Sequence, residues 1–334
     1  MNPSRQLQEV ARHLQSVTSV MLTTHAQPDG DGIGSILALG RALEQLHIKV
    51  ILINSDPTPV RFEYLDADKQ IVVWREGAQL PEVDLILVLD THNLDMLGGL
   101  EEPIAASPIP HIFLDHHPQR ASLPGTECYC IPEASSTGEL VFDLIHLLDI
   151  PLDAAMAECL YVSLTYDTNM FKYIRNQPRT LEVAADLIRA GANADRVYRH
   201  VFASNPPEKI KLLGTLLMQT AFACGGRLCY VDIPCDLFKG AGVTQEALRD
   251  IVTLLLEVAG VEIAVVFKET SPAEVKVSLR SKGILSINGI AAEFGGGGHP
   301  FASGIEMSGS LTEVRDKVLN RLCCLLESSP AGGV

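Results

Sequence analysis

Thr23-Thr24-His25-Ala26-Gln27-Pro28-Asp29-Gly30-Asp31-Gly32-Ile33-Gly34-Ser35 follows a short apolar run, Val20-Met21-Leu22, and leads into an apolar-periodic segment from 36 to 46. It therefore reads as a turn from a strand into a helix. One imidazole and two carboxylates fall within the seven residues from His25 to Asp31, interleaved with glycines that let the backbone fold tightly. Charge packed this closely repels itself unless something positive sits among it. A divalent cation is the simplest candidate.

Working outward, apolar runs at 20–24, 50–53, 85–89 and 112–114 alternate with helical or loop segments. The runs are continuous rather than alternating, as expected of parallel strands buried on both faces. Before them, 5–16 carries Leu7, Val10, Ala11 and Leu14 at helical spacing. The expected architecture is α/β, with a larger open parallel sheet. His25 follows the first run, Asp90 closes the third, and Asp115-His116-His117 closes the fourth. Ligands of open α/β sheets bind outside the carboxyl ends of the strands, the edge where these polar clusters fall.

Beyond 115 the pattern turns helical. Ser135-Ser136-Thr137-Gly138-Glu139 has the hydroxyl caps and early carboxylate of a helix start. Further helices are expected at 153–164, running into Tyr166-Asp167-Thr168, and at 180–190. A break at Asn205-Pro206-Pro207 precedes another at 208–222. The remainder reads as a smaller α/β domain, with strands at 228–233, 261–267 and 275–279 and helices at 244–256, 287–294 and 312–326. The expected division is 1–193 for the larger domain, 194–222 for a helical linker, 223–328 for the smaller domain and 329–334 for a disordered tail.

A chain of 334 residues exceeds one ordinary core, in keeping with two domains. The net charge of −15 argues against a long track on duplex nucleic acid, while leaving room for a short nucleotide at one local site. The eight cysteines show no CxxC pair and no disulfide-framework spacing, so they are expected as reduced thiols, one of Cys323-Cys324 packed and the other half exposed. The N-terminus lacks signal-peptide character and no apolar run reaches membrane length. A cytoplasmic protein with no membrane partner is expected.

His25, Asp29, Asp31, Asp90, His116 and Asp167 together supply four carboxylates and two imidazoles. That is enough for two divalent ions sharing one carboxylate, the arrangement that clamps both oxygens of an in-line phosphoryl displacement. Carboxylate oxygen suits Mg²⁺ and Mn²⁺, and imidazole tilts the choice toward Mn²⁺. Each piece alone has a plainer reading: Asp29 and Asp31 as caps of the next helix, Asp90 as a strand-end cap, His116 or His117 as an ordinary histidine. An EF-hand fails, because Ile33 and Gly40 stand where ligands are needed. A dinucleotide fingerprint fails on its GxGxG spacing and its interposed aspartates. Near the C-terminus, Gly295-Gly296-Gly297-Gly298-His299 can bring backbone amides close to an anion, and Arg280 can clamp a phosphate. A flexible glycine loop beside a surface arginine is the alternative.

Asp115-His116-His117, with the HxxxDxD of His25, Asp29 and Asp31 and the Leu89-Asp90-Thr91 strand end, resembles the DHH phosphoesterase superfamily. Ser278-Leu279-Arg280-Ser281 and the stretch from Gly295 to Gly304 resemble its associated C-terminal domain. In length and layout the chain is most similar to the NrnA-type branch, short-RNA nucleases that also remove the 3′-phosphate of pAp. The resemblance implies His25 and Asp29 on one Mn²⁺, Asp31, His116 and Asp167 on the other, and Asp90 bridging. It further implies Asp115 as support, His117 toward the substrate phosphate, and Arg280 and His299 binding phosphate beside Gly296, Gly297 and Gly298. Ser135, Ser136 and Thr137 would line the cleft. The family commonly has Thr-Asp-Thr-Gly and Phe-Arg-Tyr where this chain has Tyr166-Asp167-Thr168-Asn169 and Phe171-Lys172-Tyr173. The metal aspartate is kept, while Lys172 lacks a planar guanidinium.

The expectation is a two-metal phosphoesterase, Mn²⁺-preferring with Mg²⁺ possible, that activates water against short oligoribonucleotides or pAp. A homodimer is plausible by resemblance. The rivals are a cyclic- or linear-dinucleotide phosphodiesterase, a pyrophosphatase or exopolyphosphatase-like enzyme and, outside enzymes, a nucleotide-binding sensor.

Overall fold

The first half of the chain builds six parallel strands, β1 (Ser19–Thr24), β2 (Lys49–Asn54), β3 (Ile71–Val73), β4 (Leu85–Leu89), β5 (His111–Asp115) and β6 (Glu127–Cys130). They lie in the order β3-β2-β1-β4-β5-β6. The order reverses between β1 and β4, so the chain leaves those neighbouring strands in opposite directions and opens a crevice at their carboxyl ends. The computed structural model describes residues 5–118, 127–174, 177–238 and 249–329. Contacts divide the chain into two units, Met1–Ser204 and Asn205–Val334.

Both faces of the first sheet are buried. Leu22, Leu87, Leu89 and Leu114 pack on one side with α1 (Arg5–Gln15), α2 (Gly30–Gln45), α4 (Thr137–Leu147) and α5 (Ala154–Asp167). Met21, Ile86, Val88 and Phe113 face the other way, against Leu97, Leu100 and the Ile104 of α3 (Glu101–Ala105). Two-sided burial explains why the middles of these strands are continuous apolar runs rather than alternating ones. The helices α6 (Pro178–Arg189) and α7 (Ala194–Val197) complete the unit, with Leu187 and Val197 in its core. At the opposite edge of the sheet, Asp84 ties the starts of β1 and β4 together by accepting from both the amides and the hydroxyls of Thr18 and Ser19.

The second unit opens with α8 (Pro207–Met218) and builds a mixed sheet from β7 (Ala221–Ala223), β8 (Leu228–Ile233), β9 (Ile263–Ser271), β10 (Glu274–Ser281), β11 (Gly297–His299) and β12 (Ala302–Ser308). Their order is β11-β12-β10-β9-β8-β7, with only β8 and β9 parallel. Alternate residues again face two cores. Ile263, Val265 and Phe267 meet Ile290 and Ala291 of α10 (Asn288–Glu293) and Val318 and Leu322 of α11 (Leu311–Glu327). Ala264 and Val266 meet Leu212 and Leu216 of α8 and Leu255 of α9 (Arg249–Leu256).

Several expectations shift. Segment 194–222 divides between the units: Val197 and Val201 are buried in the first core, Leu212 and Leu216 in the second. The helix expected over 208–222 stops at Met218, and Phe222 lies on β7 instead. Of the helix expected at 244–256, 249–256 is helical and the rest lies outside the described residues, as does 330–334 of the expected tail. Cys323 is not a thiol but is disulfide-bonded to Cys224, 99 residues away. The turn after β7 and one face of α11 bring their Cα atoms to 5.9 Å, a proximity that spacing along the chain does not disclose. Cys324 is the exposed free thiol of the pair. Among the described residues no helix is long and apolar enough to cross a membrane.

Candidate metal centre

Asp29 is the N-cap of α2. Its Oδ1 accepts from the amides of Asp31 (3.0 Å) and Gly32 (3.4 Å), which fixes the first turn of the helix at the end of β1. The glycines of this turn serve close packing rather than an unusual φ. A Cβ on Gly32 would lie 2.3 Å from Thr24 Oγ1, and one on Gly34 2.3 Å from the Cys159 carbonyl oxygen of α5. Glycine therefore draws the start of α2 down between β1 and α5. That holds Asp31 fully buried, where its carboxylate accepts from Thr137 N (2.8 Å), Gly138 N (3.0 Å) and Ser163 Oγ (2.5 Å). The N-terminus of α4 thus points two amides and its positive end at Asp31.

Asp90 directly follows β4 with φ at +66°, a left-handed conformation that aspartate tolerates better than most side chains. The turn sets its carboxylate between two histidines. Asp90 Oδ2 lies 3.4 Å from His25 Nε2, and Asp90 Oδ1 lies 3.8 Å from His116 Nε2. His25, Asp29 and Asp90 offer one group of ligand atoms within 4.8 Å of one another, and Asp31, His116 and Asp167 offer a second. Within the second group His116 Nε2 stands 3.3 Å from Asp167 Oδ2 and 3.6 Å from Asp31 Oδ2.

The histidine tautomers favour a cation. His25 Nδ1 donates to the Ala26 carbonyl at 2.8 Å, and His116 Nδ1 faces the Ala134 carbonyl at 3.4 Å. With Nδ1 of each ring facing a carbonyl, Nε2 is the nitrogen turned toward the carboxylates. His116 Nε2 is buried with no hydrogen-bond partner. A buried nitrogen left without a partner among carboxylate oxygens is costly until a cation is shared among them, and a ligating histidine is ordinarily held by just such a contact at its other nitrogen. The donor set of carboxylate and imidazole, without thiolate, fits Mn²⁺ or Mg²⁺. Ionisation is strained without one. Burial, then the charges of Asp31, Asp29, Asp167 and Asp115, pushes Asp90 well above the usual carboxylate range. Burial, partly offset by His116, raises Asp167 to about 6.

Residues 19–164 match the DHH family, N-terminal domain, and residues 225–327 match the DHHA1 domain. Over 318 residues, 93% of this chain and 91% of the relative, it is 31% identical to the bifunctional oligoribonuclease and PAP phosphatase NrnA of Thermus thermophilus. The chain belongs to the DHH family. The protein of the same name from Bacillus subtilis is 27% identical over 302 residues, 89% of this chain and 91% of that one. Among solved structures, an exopolyphosphatase-related protein from Bacteroides fragilis superposes with a TM-score of 0.86 at 27% identity, covering 96% of this chain and 97% of that one. RecJ of Thermus thermophilus in complex with Mn²⁺ shares the fold, with a TM-score of 0.60 at 16% identity over 99% of this chain and 56% of its own.

The aspartate of the motif that names the DHH family has a separate task here. Asp115 is fully buried and takes three donors: His117 N (3.1 Å) and His117 Nδ1 (2.8 Å) on Oδ1, and His92 Nδ1 (2.6 Å) on Oδ2. Burial alone would raise its pKa, but hydrogen bonds from His117 and His92 hold it well below the usual carboxylate range. Burial likewise opposes the charge on His117, but its bond to Asp115 and that residue's charge raise the imidazole above its ordinary value. His92 went unremarked in the sequence, as did Ser163. A histidine two residues past Asp90 was the only signal for the first, and a serine inside an apolar helix the only one for the second.

Ser135, Ser136 and Thr137, expected to line a cleft, are buried and engaged within the fold. Ser135 Oγ pairs with Thr180 Oγ1, Ser136 Oγ caps α4 at Glu139 N, and Thr137 Oγ1 donates to Asp90 Oδ1 at 3.1 Å. Thr137 thereby supports two of the candidate metal ligands, Asp90 through its hydroxyl and Asp31 through its amide. In the second unit, Gly297–His299 is not a loop but the edge strand β11. A Cβ on Gly296 would lie 2.2 Å from the Gly304 carbonyl oxygen, and one on Gly298 2.5 Å from that of Ala302. Those two glycines allow a close approach to β12, while around Gly297 there is open space. Arg280 lies near the end of β10, with Nη1 donating to the Leu279 carbonyl. Lys172 packs its ammonium 5.7 Å from the Tyr173 ring centre, in a turn where Asn169, Met170 and Phe171 all have positive φ.

Proposed function

We propose that this DHH protein is a divalent-metal-dependent phosphoesterase that hydrolyses short oligoribonucleotides to mononucleotides and removes the 3′-phosphate of pAp. The observation that carries the reading is Asp90, whose two oxygens face His25 and His116 from between the two ligand groups. The nearly full-length similarity to proteins named oligoribonuclease and PAP phosphatase supports the substrate class.

In this reading His25, Asp29 and Asp90 would hold one ion and Asp31, His116 and Asp167 the other, with Asp90 available to both. Divalent ions bound there would supply Lewis-acid polarisation of the phosphoryl group and lower the pKa of an attacking water. The chain's own part is preorganisation. Thr137, Gly138 and Ser163 fix Asp31, and Thr137 fixes Asp90, so the ligands need no rearrangement during turnover. His117, oriented by Asp115, donates to a phosphate oxygen. Arg280 and His299 bind phosphate and give the second unit its role in substrate choice.

The test is product release from a ribonucleotide dimer, a five-nucleotide RNA, pAp, a cyclic dinucleotide and pyrophosphate, each with Mn²⁺, Mg²⁺ or chelator. Metal-dependent turnover of short RNA and pAp is the expected result. Turnover confined to the cyclic dinucleotide or to pyrophosphate overturns the substrate class, and turnover in chelator overturns the metal centre.

A further inference from the structure

Asp115 has one oxygen for each of two histidines. Oδ1 takes the amide and Nδ1 of His117, and Oδ2 takes Nδ1 of His92 at 2.6 Å. All three groups sit at the carboxyl ends of adjacent strands. The left-handed turn at Asp90 leads the chain from β4 into Thr91 and His92 against the end of β5. One turn therefore places both the carboxylate between the two ligand groups and, two residues later, a donor for Asp115.

His92 and Asp115 also cluster with the Cys130 thiol in a set of metal-ligand type. A metal there is disfavoured, because both oxygens of Asp115 already accept imidazole protons and burial keeps the thiol protonated, its pKa pushed up to about 12. The cluster is a hydrogen-bonded support instead. We propose that His92 is a positioning residue for the reaction: by holding Asp115 Oδ2 it fixes the plane of the carboxylate, so that Oδ1 orients the His117 ring toward substrate phosphate. The inference rests on the phosphoesterase reading for the role of His117, and on geometry alone for the His92–Asp115–His117 chain.

The physical reason is the burial of Asp115. A carboxylate out of reach of water needs its acceptor sites filled, and an oxygen stripped of its donor costs more than the bond was worth. Without His92, Asp115 Oδ2 would be left bare and the carboxylate would turn to share the donors of His117. The ring of His117 would then lose its fixed tautomer and direction. The loss would appear in the chemical step rather than in substrate affinity.

The experiment compares His92→Phe, which removes the donor, with His92→Asn, whose side-chain amide can donate from near the place of Nδ1. On the five-nucleotide RNA with Mn²⁺, His92→Phe is expected to lower kcat by roughly 10- to 100-fold, the usual scale for an outer-shell partner, with KM little changed. His92→Asn should restore most of it. Long-range proton–nitrogen spectra of the metal-free protein give a readout independent of turnover: the His117 ring should be protonated at Nδ1 in the wild type and in His92→Asn, and lose that signature in His92→Phe. Wild-type kcat in His92→Phe, or an equal fall in both variants, overturns the proposal. So does a wild-type His117 ring without its proton on Nδ1, which settles the case even where His92→Phe does not fold. Should the wild type turn over no nucleotide at all, the functional reading fails, and the spectra still decide the positioning.

Discussion

Arg280 and His299 stand in one row of the second sheet, each paired with Ala302: Arg280 from β10 on one side of β12, His299 from β11 on the other. Residues far apart in the sequence are thus brought abreast by strand register alone, in a unit that holds none of the six candidate metal ligands. Arg280→Ala should therefore weaken substrate binding without touching the metal centre. Loss of charge-assisted hydrogen bonds worth about 1.5–3 kcal/mol corresponds to a rise in KM of roughly 10- to 100-fold. Mn²⁺ affinity, read by calorimetry without substrate, should be unchanged. A parallel loss of Mn²⁺ affinity would contradict the assignment.

Asp90 combines a strained backbone with a crowded charge, a combination expected where function rather than stability selects the residue. Asp90→Asn keeps a side chain that tolerates the left-handed φ and removes a carboxyl whose ionisation is opposed by burial and by its anionic neighbours. In the metal-free protein it should raise the melting temperature at the alkaline end of the pH range, where the wild-type carboxyl must ionise. Turnover should fall by more than the roughly 10- to 100-fold typical of an outer-shell change, because a candidate shared ligand is lost. A variant that keeps both Mn²⁺ binding and turnover sinks the role given to Asp90.

Much of this architecture was legible because two-sided burial writes itself into the strands. The four central strands, β1, β2, β4 and β5, are continuous apolar runs, and the polar residues at the ends of β1, β4 and β5 all fall at one edge. The outer strands were not legible. Ile71–Val73 and Glu127–Cys130 are short and partly exposed, and Gly297–His299 carries two glycines, so none shows a strand's period. Support of the ligands was harder still. Ser163 reaches Asp31 across 132 residues and His92 reaches Asp115 across 23, and neither pairing leaves any trace in local spacing. Asp29 shows why the plain and the sharp readings need not compete: the same carboxylate caps α2 and stands within reach of His25.

Local packing predicts opposite outcomes for one substitution at two helical glycines, Gly34 of α2 and Gly214 of α8. Gly34 has ordinary helical backbone, yet a Cβ there would meet the Cys159 carbonyl oxygen at 2.3 Å, an atom that only a shift of α5 can move. Gly34→Ala should destabilise the first unit by about 1–3 kcal/mol, the range for overpacking. Gly214 lies exposed inside α8 with nothing near its Cβ position. Gly214→Ala should stabilise the second unit by about 1 kcal/mol through helix propensity. Urea unfolding of the two variants checks both, and a harmless Gly34→Ala would refute the close approach of α2 and α5.

The buried carboxylates make the stability of the metal-free protein depend on pH in a definite direction. Asp90 is raised well above the usual range by burial and then by its anionic neighbours, and Asp167 is raised to about 6. For an acid whose folded pKa exceeds its unfolded value of roughly 4, the folded state binds more protons in the interval between the two, so stability falls as pH rises through it. His117, also raised, contributes in the same sense, because its extra stability is lost as pH passes its folded value. Asp115 is depressed, and its contribution disappears only in strong acid, outside this interval. Chelator-treated protein should therefore melt highest near pH 5 and progressively lower toward pH 8, whereas saturating Mn²⁺, which binds the deprotonated carboxylates, should flatten or invert the slope. Melting temperatures that rise with pH in chelator would show that these carboxylates are not the strained anions the geometry describes.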